Sequence, residues 1–299
     1  MNDRQGIIET VPYTSSKSAS FHLRPLLWFA GLIVILLGSN AALAGVEVYP
    51  LYLFLKPPSR TVSVSVTNPT EKRQEAWVEF KYGYPVVGDS GKFAMQYLDS
   101  PYVNEPSAVL WLRAFPQRFV LGPRESQVVR IMVSAPLGVP PAEYWARVVV
   151  SSFDRELKTA TTAPGGSMQM HLQYISQIDI PLHCRIGHVT TGLTITHVTA
   201  TASAGKLNLG VALTRIGNAS YWGTMSIALK NHDGQIVKNE DRQVAIYKDI
   251  IYPYTIDIPA VPAGSYSLEV TFTTHRPGVA SQYLLKAEPV KYSQEISIP

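Results

Sequence analysis

The residues of this chain that could do acid–base, nucleophilic or metal chemistry are few, and their spacing does not suit it. There are seven histidines and one cysteine. His22 lies in a leader segment, and His171, His183, His188, His197, His232 and His275 form no H-x-x-x-H pair and no H-E-x-x-H motif. Those spacings are the ones that turn two imidazoles toward one metal ion. Cys184 has no second cysteine with which to close a disulfide or a zinc site. It continues an apolar phase and reads as a small core hydrophobe. No G-x-S-x-G, P-loop or G-x-G-x-x-G stretch occurs, and acidic pairs such as Glu240-Asp241 read as solvated loop. Catalysis needs a nucleophile with its base, a carboxylate pair or a metal cluster. The sequence supplies no such group, so it predicts a protein that is not an enzyme, with no metal and no cofactor.

Other residue sets point to binding or packing. The aromatic group Tyr82, Tyr84, Phe93, Tyr97, Tyr102, Trp111 and Phe115 could floor a sugar or peptide site, but reads first as core or loop packing. Asn218-Ala219-Ser220 fits the glycosylation pattern and reads instead as a turn asparagine, while Asn68-Pro69-Thr70 is excluded by its proline.

The strongest signal is a period. Residues 168–182 alternate, with Met168, Met170, Leu172, Tyr174, Ile178, Ile180 and Leu182 on one phase and Gln169, His171, Gln173, Gln177 and Asp179 on the other. Ser176 interrupts the apolar phase, and Ile175 and Pro181 the polar one. Alternation by two places one set on each face of an extended chain. A single strand of that length would reach roughly 50 Å, well beyond the usual 5–6 residues. A strand that overruns its own sheet is suited to pairing with another chain. The alternative is two consecutive strands with an unmarked join.

The elements around it are strands too. Val62–Val66, Ala76–Phe80, Val128–Val133, Tyr144–Val150, Leu207–Leu213, Met225–Leu229 and Tyr266–Phe272 alternate, with turns at Asp233-Gly234, Gly217-Asn218 and Pro262–Gly264. The segment Val139–Val148 echoes Val261–Val270, each a proline-containing corner followed by a tyrosine that enters a strand. Such a tyrosine corner is found in immunoglobulin-like sandwiches. Asn68 and Asn218 are a second pair of landmarks, and their spacing to the corners puts surplus residues of the first half within Tyr82–Leu112. The fold class is therefore all-β, two immunoglobulin-like β-sandwiches at 46–184 and 187–299. Residues 153–166 read as a polar loop leading into the long strand.

Residues 1–44 read as a secretory signal. Arg24 precedes the apolar run Leu26–Leu37, and Ala42-Leu43-Ala44 supplies the small-x-small cleavage pattern. A retained anchor is the alternative, because the stretch before Arg24 is long and holds Asp3 and Glu9. Lys and Arg total 26 against 22 Asp and Glu, and removing the leader leaves a scattered excess of +3 with no basic run. That argues against a nucleic-acid partner.

In order along the chain, the leader, Val46-Glu-Val-Tyr-Pro50, Thr61–Asn68, Trp111–Ile131, Val139–Val150 and the alternating strand ending Leu182-His-Cys-Arg185 resemble the periplasmic pilus chaperones of the PapD-like family. The resemblance covers roughly 46–185, and beyond it only the immunoglobulin-like pattern continues. It implies a periplasmic chaperone that lends its long first-domain strand to an incomplete β-sandwich subunit of the pilin type, with an outer-membrane usher as a further partner. Met168, Met170, Leu172 and Tyr174 would insert into the subunit's groove, with Ile178 and Ile180 nearer the root. Members anchor the subunit's terminal carboxylate with an arginine on the first strand and a lysine near the end of the long one. Here Tyr52 stands at the arginine's place, and Pro181 or Asp179 at the lysine's; Lys56 and Arg185 are the cations nearby. The alternative function is a two-domain structural or adhesive cell-surface protein, in which the alternating strand completes its own sandwich.

Overall fold

The computed structural model describes residues 45–55, 59–88, 92–100, 102, 104–155 and 174–299. The proposed leader, Lys56, Met168, Met170 and Leu172 lie outside them. Among the described residues no helix is long and apolar enough to cross a membrane.

The first half contributes β1 (Glu47–Tyr49), β2 (Leu53–Leu55), β3 (Thr61–Thr67), β4 (Gln74–Val87), β5 (Phe93–Leu98), β6 (Leu112–Phe115), β7 (Arg118–Leu121), β8 (Ser126–Val133), β9 (Ala142–Asp154) and β10 (Ser176–Ile186). They form two sheets, β1-β3-β8-β6 and β2-β10-β9-β4-β5, with β7 paired to β4. The second half contributes β11 (Thr191–Ser203), β12 (Lys206–Gly217), β13 (Tyr221–Lys230), β14 (Ile236–Ile246), β15 (Ile250–Asp257), β16 (Gly264–Thr273) and β17 (Val290–Ile298). Their sheets are β11-β12-β15 and β14-β13-β16-β17.

The expected alternation builds both cores. Val64, Val66, Val129 and Ile131 of one sheet face Val78, Val148, Val150, Ile180 and Leu182 of the other, all buried in one cluster. A second cluster joins Leu209, Val211 and Leu213 to Met225, Ile227, Leu229, Leu268, Val270 and Phe272. Each such side chain, fully buried, contributes about 1.5–3 kcal/mol, which is why the inward phase tolerates so few polar residues. The two proline-containing corners share one hydrogen bond: the Tyr144 hydroxyl donates to the Pro140 carbonyl at 3.0 Å, and that of Tyr266 to Pro262 at 2.9 Å. The two asparagines also serve alike. Asn68 Nδ2 donates to the carbonyls of Lys72 and Gly122, and Asn218 Nδ2 to those of Pro141 and His188. Asn218 is thus a structural turn residue whose amide is already engaged.

Three expectations need correction. Glu240 and Asp241, read as loop, lie within β14, which borders its sheet and carries polar residues on its exposed side. Phe153 and Asp154, read as the start of a loop, are the last residues of β9, held by pairing to Glu75 and Gln74. The described strand at the end of the alternation is β10, which begins at Ser176 and runs past Leu182 to Ile186. The surplus in the first half is a hairpin. Beyond Lys81, β4 leaves β9 and pairs with β5 from Tyr82 to Val87. Phe93 of that hairpin meets Tyr252 of the second sandwich at 4.7 Å between ring centroids.

Candidate functional site

β10 is paired unequally. One side meets β9 along its whole length, from Ser176↔Ser152 to Ile186↔Ala142. The other meets β2, in parallel, only at Leu182, His183 and Cys184. Among the described residues nothing pairs with 176–181 on that side, so a row of main-chain donors and acceptors is left open. The buried Pro181 stands where the open stretch meets the β2 ladder. Proline removes a donor, and within sheets it is found at such borders. Just before the strand, Tyr174 and Ile175 are exposed at 79% and 53%.

The two phases of β10 face different surroundings. The even phase enters the first core: Ile178 packs against it, Ile180 is 2% exposed, and Leu182 and Cys184 are fully buried. Burial, and then the Glu143 carboxylate, push the Cys184 thiol up to about 12. Ile180 is therefore occupied by its own sandwich, which narrows the expectation that it inserts into a partner. Of the other expected inserting residues, Tyr174 is on the surface, and Met168, Met170 and Leu172 lie outside the described residues.

The odd phase carries polar contacts. Arg147 Nε donates to Asp179 Oδ1 at 2.6 Å, and the Tyr97 hydroxyl donates to Asp179 Oδ2. Asp179, at one candidate place for the family's lysine, is thus an acid neutralised by a neighbouring arginine. Tyr97 lies on β5 and crosses Gly83 to reach it. A Cβ at Gly83 would stand 2.7 Å from the Gln96 carbonyl oxygen and 2.8 Å from the Tyr97 ring, so only glycine lets the ring pass.

Further along, the odd phase meets the second sandwich. Glu143 of β9 is fully buried and accepts from His183 Nδ1 at 3.0 Å, Arg185 Nε at 2.9 Å, and the backbone N–H and hydroxyl of Ser220. Burial raises its carboxyl, but His183, Arg185 and Ser220 together outweigh this and hold it down at about 2. His183 Nε2 lies 3.2 Å from the Tyr247 hydroxyl, and Arg185 Nη1 donates to the Tyr283 carbonyl at 2.7 Å. Arg185, considered as an anchor for an incoming carboxylate, is committed to Glu143.

Around this network runs an aromatic seam. Tyr82, Tyr84 and Trp145 of the first sandwich pack with Trp222 and Tyr247 of the second. Phe54 stacks between His183 and Tyr283, at 5.0 and 5.3 Å. Tyr52 meets Trp222 edge-on at 5.2 Å. The expected aromatic set therefore divides. Tyr82, Tyr84 and Tyr102 join the seam, Trp111 packs on Tyr144, Phe93 on Tyr252, and Phe115 is 75% exposed. Sequence reasoning missed Glu143, Trp222, Tyr247 and Arg276. The signals available were a glutamate and a cysteine-flanking His183 and Arg185 in otherwise apolar strands, and a tryptophan directly following Tyr221. Among the described residues no group of three or more His, Cys, Asp or Glu is placed to hold a metal.

No family model matches the chain, and no curated protein matches it. Solved structures do. The chain is similar to the chaperone–tip adhesion subunit pre-assembly complex of the archaic chaperone-usher Csu pili of Acinetobacter baumannii, at 12% identity over 85% of this chain and 98% of that one, with a TM-score of 0.42. It is similar to the chaperone–tip adhesin complex of CFA/I fimbriae at 14% identity, over 85% and 99%, with a TM-score of 0.40. It is also similar to the SafA pilin–SafB chaperone complex of Salmonella enterica at 14% identity, over 84% and 97%, with a TM-score of 0.37. These are chaperone complexes of pili and fimbriae. The likeness to them is distant.

Proposed function

We propose that the chain is a periplasmic chaperone that lends the open edge of its first sandwich to an incomplete β-sandwich subunit of the pilin type. The observation that carries this is the one-sided pairing of β10 over 176–181, directly after the exposed Tyr174 and Ile175. A strand laid along that edge gains main-chain hydrogen bonds, and alternate apolar side chains from the lending strand fill the recipient's groove. Met168, Met170, Leu172 and Tyr174 are the proposed donors. Methionines suit a donor that fits more than one subunit, because their flexible thioethers repack. Residues 1–44 would be the export signal, and an outer-membrane usher would receive the complex.

Co-expression with a pilin-like subunit lacking its last strand tests the reading. Replacing Met170 and Leu172 by glutamate should abolish capture, because it would set charges against an apolar groove at a cost of several kcal/mol. Replacing Gln169 and Gln173 should leave capture nearly intact. Amides of Ser176–Asp179 should also exchange more slowly in the complex than in the free chain. If both pairs of substitutions behave alike, or if the first pair unfolds the isolated protein, the strand completes its own sandwich and the two-domain structural protein is the better reading.

A further inference from the structure

Gly45 is buried at one end of the first core. Its backbone is left-handed, at φ +102°, and there is no room on it for a side chain. A Cβ would stand 2.5 Å from Ser176 Oγ and 2.6 Å from Ser176 Cβ, with Ser152 Oγ at 3.4 Å. Val46 and Val48, which follow it, belong to the core and fix its position. Ser152 and Ser176 stand directly opposite each other on β9 and β10, and Ser176 opens the unpaired stretch of β10. This end of the core holds polar atoms that lack partners. Ser152 is fully buried, and among the described residues its hydroxyl has no hydrogen bond. Gln74 lies on β4 two residues from Ala76, the residue opposite Ser152, and its Oε1 is likewise buried and unpaired. Asp154, in the same phase as Ser152 and opposite Gln74, brings a carboxylate to the rim, where it meets Lys72 at 2.7 Å. A buried polar atom without a partner destabilises the fold, so native structures ordinarily supply one.

The nitrogen of Gly45 is one bond from the α-carbon that these serines flank. Joined to Ala44 it is a peptide nitrogen with a single N–H and no charge. As the first atom of a chain it is an ammonium at neutral pH, with three N–H donors and a positive charge. We propose that this end of the first sandwich is a site for an α-ammonium group, and that its occupant is the amine freed on Gly45 when the chain is cut after Ala44. Ser152, Ser176 and Gln74 Oε1 accept its hydrogen bonds, and Asp154 is the counter-charge at the rim. The occupant rests on the reading of residues 1–44 as a leader. Hydrolysis of the Ala44–Gly45 bond consumes one water, leaving a carboxylate on Ala44 and the protonated amine on Gly45. Only glycine serves at the new terminus, because any Cβ meets Ser176. The site cannot form while Ala44 remains attached, so Ser176, the root of the open edge, gains this partner only in the processed chain.

Both cores lie within 45–299, so a chain released at Gly45 from a tag, by a protease that leaves no extra residue, tests the site without reference to export. Acetic anhydride at neutral pH, read by mass spectrometry of the N-terminal peptide, reports how well the amine is held. A hydrogen bond to a charged group is worth about tenfold in an equilibrium, so acetylation should be about tenfold slower in the folded chain than in denaturant. A chain that keeps Ala44 should show no such protection and should melt about 2–4 °C lower. Ser152→Ala should remove the protection, and should lower the melting temperature of the free-amine chain but not of the acetylated one. Equal rates in the folded and unfolded chain would overturn the site. So would protection that survives Ser152→Ala, since burial alone would then account for it. Should Ser152→Ala fail to fold, Ser176→Ala and the Ala44-extended chain decide by the same criteria. The occupant is read by N-terminal sequencing of the exported full chain, which should begin at Gly45. A different first residue overturns the occupant even where the released chain is protected. Gly45 first, with an unprotected amine, overturns the site and leaves the leader reading intact.

Discussion

At Glu143, donors from β10 and from the second sandwich converge on a carboxylate with no exposed surface. Its carboxyl is held at about 2, against about 4.5 in an unfolded chain. A carboxyl lowered by folding stabilises the native state above the unfolded value, and that contribution disappears as pH falls toward the folded one. Between pH 4.5 and 2 the protein should therefore lose on the order of 3 kcal/mol from this group, at about 1.36 kcal/mol per pH unit. Melting temperatures across that range should show a steep acid limb, and Glu143→Gln should flatten it while lowering stability at pH 7. Cys184 allows a second check. With its thiol pushed up to about 12 inside the first core, a disulfide-exchange reagent should leave it untouched in the native protein and titrate one thiol per chain in denaturant. The inward phase of Cys184 was legible from alternation alone. The partnership of Glu143 was not, since it requires Ser220 from the other sandwich, whose position no local pattern encodes.

At the scale of elements, the strands that could be read were those whose surroundings match their period. β8, β12 and β16 each bury one clean phase, and the sequence shows it. β5 was hidden because Phe93, Met95 and Tyr97 pack along a hairpin instead of a core. The long alternation was legible as a strand, but its division of labour was not: Ile178 and Ile180 serve the chain's own sandwich, as does any inward phase, and sequence cannot tell whose groove a phase enters. The surroundings of Arg276 were out of reach for a similar reason, because the rings on its two faces, Tyr52 and Trp222, come from separate sandwiches. The hairpin offers its own test. Gly83→Ala would force the Tyr97 ring away from Asp179, at a cost of about 1–3 kcal/mol for crowding a packed contact. Tyr97→Phe, which loses only the hydroxyl, should cost about 1 kcal/mol. Equal chemical-denaturation midpoints for wild type and Gly83→Ala would mean that the hairpin does not clasp β10.

Across the whole molecule, two cores meet through a seam built from rings and a buried ion network. Trp222, which touches Tyr52, Phe54, His183 and Tyr247, is its centre. Trp222→Ala removes a large buried side chain, at a cost of about 3–5 kcal/mol, and should split a single calorimetric transition into two. The short ladder between β2 and β10 has a further consequence, in time. Leu53, Phe54 and Leu55, near the front of the described chain, find their partners only at Leu182, His183 and Cys184, the last strand of their own sandwich. In the second sandwich β11 pairs with β12, β13 with β14 and β16 with β17, each a neighbour in sequence. Non-local pairing is slow because a long loop must close before any contact rewards it. The part of the chain made first should therefore finish folding last. Pulsed hydrogen exchange during refolding should find amides of β13 and β16 protected before those of β2. Until then the edge proposed for the client lacks its clasp, and a chain still emerging has nothing complete to lend.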